Sequence, residues 1–117
     1  MSEGVETTAL WRPAGPRELD LIRASGWRRW PPVPLERLYF YPILSESFAV
    51  TGAQHWTSSD SGVRYVLRIH VETDFVGRYS TRSFGGSAAP MLWVPAEDMD
   101  EFNAHVVGLI EVVHEIR

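Results

Sequence analysis

From Val63 to Val71 the chain alternates between two sets of positions. Val63, Tyr65, Leu67, Ile69 and Val71 fall on one side, and Arg64, Val66, Arg68 and His70 on the other. A period of two sustained over that length predicts an antiparallel strand buried on one face. Thr7 to Arg12 is rich in strand formers, and Pro13-Ala14-Gly15 is expected to break it. Pro16 then suits the first turn of a helix whose face carries Leu19, Ile22 and Arg23, with Gly26 as its stop. The prolines of Trp27 to Pro34 exclude regular structure and predict an ordered loop. Leu38 to Leu44 reads as a short strand. Ser45 is placed to cap a helix in which Phe48, Gly52 or Ala53, and Trp56 share a face.

Beyond a turn-rich stretch from Thr57 to Gly62 and the long strand, Thr73 to Tyr79 predicts a short helical turn. Ser80 to Phe84 reads as an edge strand, followed by a Gly85-Gly86-Ser87 loop. Met91 to Val94 reads as a strand ended by Pro95. Ala96 to Val106 has helical spacing, with Met99, Phe102 and Val106 inward and acids in the first turn. Gly108 stops that helix, and Leu109 to Ile116 closes the chain as a strand. Long crossovers mixed with hairpins predict an α+β fold. The expectation is a single compact domain over residues 7–117, mainly antiparallel sheet with three main helices, behind a flexible tail at residues 1–6.

Composition narrows the chemistry. The chain has 117 residues, no cysteine and a formal net charge of -4, and its 11 basic residues are all arginine. Disulfides, thiolate sites and lysine chemistry are therefore excluded. The acidic balance gives no field for nucleic acid. The apolar runs are too short to span a bilayer, and the acidic start predicts no secretory leader, so the expected location is the cytoplasm. The arginines crowd the first third of the chain (Arg12, Arg17, Arg23, Arg28, Arg29, Arg37) and acids load its end. Solvated surface explains this segregation, and so does an arginine-lined cleft for a phosphate-bearing ligand.

Four histidines, His55, His70, His105 and His114, show no metal-ligand spacing, and no metal is expected. No Gly-x-Ser-x-Gly elbow or Gly-x-Gly-x-x-Gly loop occurs. Glu97, Asp98, Asp100 and Glu101 read as a solvated helix start. Trp27-Arg28-Arg29-Trp30 can anchor a loop to the core or stack on a ring.

The successions Leu10-Trp11-Arg12-Pro13-Ala14-Gly15-Pro16, Ser25-Gly26-Trp27, Phe40-Tyr41-Pro42-Ile43-Leu44 and Leu92-Trp93-Val94-Pro95-Ala96-Glu97-Asp98 resemble a family of small bacterial proteins labelled "ADP-ribosylation/crystallin". So does the ending Val107-Gly108-Leu109-Ile110-Glu111-Val112. The element order also resembles a minimal ADP-ribosyltransferase fold, which cleaves NAD+ and transfers ADP-ribose. The resemblance implies that Arg12, after Trp11 on the first strand, grips phosphate or ribose. It implies that Tyr41 stacks on nicotinamide and that Ser45 orients the ribose. The catalytic glutamate of such enzymes precedes an apolar strand ending in proline; here that position falls on Met91, with Glu97 as the nearby substitute. A thioether cannot hydrogen-bond a ribose hydroxyl or stabilise an oxocarbenium-like transition state.

Two functions follow. One is an ADP-ribosyltransferase-like domain binding NAD+ or an ADP-ribose-type ligand, with activity weakened or lost through Met91. The alternative is a non-catalytic binding or interaction module on the same scaffold, meeting a protein partner through Trp27, Arg28, Arg29 and Trp30.

Overall fold

The computed structural model describes residues 6–33, 38–55, 63–79 and 91–116, with 81–82 described by their backbone. The alternating stretch forms β3 (Arg64–Glu72), the middle strand of an antiparallel sheet. On one side lies β1 (Thr7–Ala14), in register from Thr7 opposite Glu72 to Ala14 opposite Tyr65. On the other lies β7 (Glu111–Ile116), its register shifting between Val66 and Leu67. Residues 105–107 continue along that same side: Val107 N–H donates to the His70 carbonyl at 2.8 Å, and Glu72 N–H to that of His105 at 3.1 Å.

A second antiparallel ladder joins residues 38–43 to 91–96. It contains β2 (Tyr39–Phe40) paired with β6 (Val94–Pro95), and β5 (Met91–Leu92), which also pairs with β4 (Thr81–Arg82). Phe40 faces Val94 and Ile43 faces Met91, so one register runs through Pro42. Leu92 N–H donates to the Pro42 carbonyl and Ala96 N–H to that of Leu38, both at 2.9 Å. Trp11 and Ile43 exchange both backbone hydrogen bonds at 2.8 Å, and there the two ladders meet.

Among the described residues four helices pack on the sheet: α1 (Pro16–Ala24), α2 (Glu46–His55), the short α3 (Thr73–Val76) and α4 (Met99–Ala104). The architecture is the expected α+β domain with antiparallel sheets. Leu10, Ile22, Leu67, Ile69, Phe75, Leu92, Val94 and Phe102 form the main core on one face. Ile43, Ala49, Ala53 and Val66 form a smaller core beneath α2 on the other.

Four local expectations change. β3 is buried on both faces at one end, because the alanines of α2 let its backbone settle over Val66. The inward face of α2 is Ala49 and Ala53; Phe48 is half-buried beside it, and Trp56, like the Thr57–Gly62 and Gly85–Ser87 loops, lies outside the described residues. β1 runs through Pro13 to Ala14. Trp11 turns its N–H toward Ile43, so two residues later the missing N–H of Pro13 also faces away from β3, and the β1–β3 ladder loses no bond. The 96–106 helix is a 3-10 turn (Ala96–Asp98) followed by α4, while Val106 bridges to Val71. Of the 1–6 tail, Glu6 is described: it is exposed, and its carbonyl accepts from Thr73 N–H at 2.9 Å.

Candidate functional site

Past the Trp11–Ile43 junction β1 continues toward α1, while 38–41 stays with 93–96. A cleft of about 490 Å3 lies between them. Its walls are mostly aromatic, from Trp30, Tyr39, Phe40, Tyr41 and Trp93, with Pro32, Val33 and Leu38 at the rim. Among the described residues two charged side chains line it, Arg12 and Glu18. Size and lining both suit a small-molecule site.

Arg12 lies on β1 between Leu10 and Ala14, which alternation places on the same side of the strand, and both are fully buried. That side faces the main core, so the long stem is half-buried, and the guanidinium Cζ sits 5.9 Å from the centre of the Phe40 ring. Tyr39 and Tyr41 are two apart on one strand and share a face. Trp93 stands opposite Tyr41 on the neighbouring strand, its ring 5.2 Å away edge-on and 5.4 Å from Tyr39. The result is a cross-strand aromatic row on the face opposite Phe40. Glu18 reaches the cleft from the first turn of α1, where its Oε1 accepts the Gly15 N–H at 3.4 Å. Sequence reasoning missed Glu18 as a site residue; the available signal was its place three residues beyond the Gly15 cap, in a helix that leaves the Arg12 strand.

Arg12 and Tyr41 thus line one cleft. The other three residues singled out lie elsewhere. Ser45 caps α2, its Oγ accepting from Phe48 N–H at 3.2 Å. Met91 is half-buried and packs against the Ile43–Ala49 cluster beneath α2. Glu97 is exposed and lines a second cleft of about 540 Å3, together with Arg29, Asp100, Leu21 and Met99. The segment Trp30, Pro32 and Val33 belongs to both clefts and is the wall between them.

That wall is fixed by the end of α1. Gly26 (φ 78) and Trp27 (φ 66) are both left-handed. Gly26 N–H donates to the Arg23 carbonyl and Trp27 N–H to that of Ile22, each at 3.0 Å, which is a Schellman closure. Ser25 Oγ then accepts from the N–H groups of Arg28 and Arg29, each at 3.2 Å. Asn103 holds Trp30 from both sides, its Oδ1 accepting from Trp30 N–H at 2.8 Å and its Nδ2 donating to the Trp30 carbonyl at 3.0 Å. Trp30 is 2% exposed, with its ring 5.3 Å from Phe40. Trp27 is half-buried beneath Arg23, while Arg28 and Arg29 are exposed.

Among the described residues Tyr79 and Glu111 have shifted ionisations, and neither lines the two clefts. Burial, then the hydrogen bond from its hydroxyl to Asp98 Oδ2 at 2.9 Å, pushes the Tyr79 phenol up to about 12. The Arg68 guanidinium holds the Glu111 carboxyl below its usual range. Among the described residues no group of His, Asp and Glu could hold a metal ion, and no helix is long and apolar enough to cross a membrane. The chain matches no protein-family model and no curated protein.

Proposed function

We propose that the chain is an ADP-ribosyltransferase-like domain whose aromatic cleft binds NAD+ or an ADP-ribose-type ligand, with binding rather than turnover as its function. One observation carries this: Arg12 and Tyr41, the two residues the family resemblance assigns to phosphate and ring, come from separate strands and line the same cleft. Arg12 offers a planar donor fork suited to a phosphate or pyrophosphate. Tyr41 and Trp93 offer a ring surface for nicotinamide or adenine. Ser45 acts as the cap of α2. Turnover lacks its expected carboxylate, because position 91 is a methionine packed under α2; loss of one such electrostatic contact costs about 10² to 10³ in rate. The protein-partner alternative has weaker support, since Trp30 is buried and only Arg28 and Arg29 of its four residues are exposed.

The test is calorimetric titration of NAD+ and ADP-ribose into the protein, alongside Arg12→Ala. Saturable binding, weakened roughly tenfold or more by Arg12→Ala, is expected if a charge-assisted contact is lost. An absence of heat at millimolar ligand sinks the proposal.

A further inference from the structure

The cleft holds a carboxylate as well as a cation, and nothing so far gives that carboxylate a ligand role. Glu18 is half-buried, and among the described residues the lining apart from it and Arg12 is aromatic and aliphatic. An ionised carboxylate offers about four acceptor sites. Among the described residues one of these is engaged, by the Gly15 N–H, and at 3.4 Å that bond is long. No arginine or histidine among the described residues forms a salt bridge with it. A partly desolvated acceptor set of this kind selects for donors on whatever enters the cleft. The nucleotide-type ligand proposed above carries ribose hydroxyls, neutral donors of the kind such an acceptor set takes.

We infer that Glu18 recognises the hydroxyls of a sugar ring, so that the cleft takes a ribose-bearing anion and rejects its deoxy counterpart. Arg12 holds the phosphate, Glu18 accepts from one or both vicinal hydroxyls, and the Tyr41–Trp93 surface meets the attached ring. The inference rests on the nucleotide-binding proposal above and deepens it. Hydroxyl discrimination of this kind follows because the analogue without the hydroxyl leaves a partly desolvated acceptor unpaired.

The experiment compares AMP with 2′,3′-dideoxy-AMP by calorimetry, on the unaltered protein and on Glu18→Gln. Glutamine at this helix position can still reach back to the Gly15 N–H, so the cap survives; thermal unfolding midpoints of the two proteins should agree. The expected result is that the unaltered protein prefers AMP by about 10- to 100-fold and that Glu18→Gln erases most of that preference. Equal binding of the two nucleotides, or a preference that Glu18→Gln leaves intact, overturns the role of Glu18 while the nucleotide-binding proposal stands. Binding of neither AMP nor ADP-ribose overturns both.

Discussion

The two clefts share a wall, yet they are built from different material. One is floored by a cross-strand ladder and, among the described residues, lined by five aromatic rings with one arginine and one glutamate. The other lies between the end of α1 and the start of the 96–104 helical segment, with Leu21, Pro31 and Met99 beside Arg29, Glu97 and Asp100. In the first, charges come from a strand and a helix start held by the sheet. In the second they lie on an exposed loop, a 3-10 turn and the start of α4, where solvent screens them and ion pairs contribute little. Similar volume therefore does not mean similar capacity for a ligand: the difference lies in how firmly the polar groups are held and how dry their surroundings are.

The largest expected effect comes from removing the common wall. Trp30→Ala should cost about 3–5 kcal/mol of stability, since a fully buried indole against Phe40 is lost. Denaturant unfolding measures it, and a cost below about 1 kcal/mol would show that the two clefts do not depend on that ring. Next, Asn103→Ala should cost about 1–3 kcal/mol, because the Trp30 N–H and carbonyl both lose their partner. The same unfolding assay reads it. For binding, Arg12→Ala should weaken ADP-ribose by roughly tenfold or more, whereas Arg29→Ala in the second cleft should change it less than about twofold. Equal losses in the two variants would erase the distinction between the clefts.

The smallest effect concerns pH. The phenol of Tyr79 donates to Asp98, in the acidic turn that walls the second cleft. Its proton is held more firmly in the folded chain than in the unfolded one, so the stabilisation is present in full below pH 10 and fades as pH rises from 10 to about 12. With the ring partly open to solvent, it should amount to less than about 1 kcal/mol. The stability gap between the unaltered protein and Tyr79→Phe should accordingly narrow between pH 9 and pH 12; a constant gap would contradict it.

Elements governed by local rules were readable in advance. β3 followed from its alternation, α1 from Pro16 and Gly26, and the Ser45 cap from residue type and place. What required the fold was pairing between distant segments. Nothing near Tyr41 in the sequence says that 38–43 meets β1 at Trp11 alone and otherwise follows 91–96, yet that divergence is where Arg12 and Tyr41 line one cleft. The same pairing puts Met91 on the α2 side, and the 3-10 turn at Ala96–Asp98 carries Glu97 to the other cleft. Val66 looked like a solvent position because α2 carries its inward face as two alanines, too small to announce a second core.

The 38–43 and 91–96 ladder has one further consequence. It is a partition one residue thick: Leu92 and Val94 belong to the core on one side, Tyr41 and Trp93 face the cleft on the other, and Phe40 lines both. Anything that steadies the aromatic side must also steady the amides of Leu92 and Ala96, whose bonds to Pro42 and Leu38 lock the two segments together. Occupancy of the cleft would then register as slower hydrogen exchange in the floor of the core, and a ligand at a hundred times its dissociation constant would add about 2.7 kcal/mol to the stability of the whole domain.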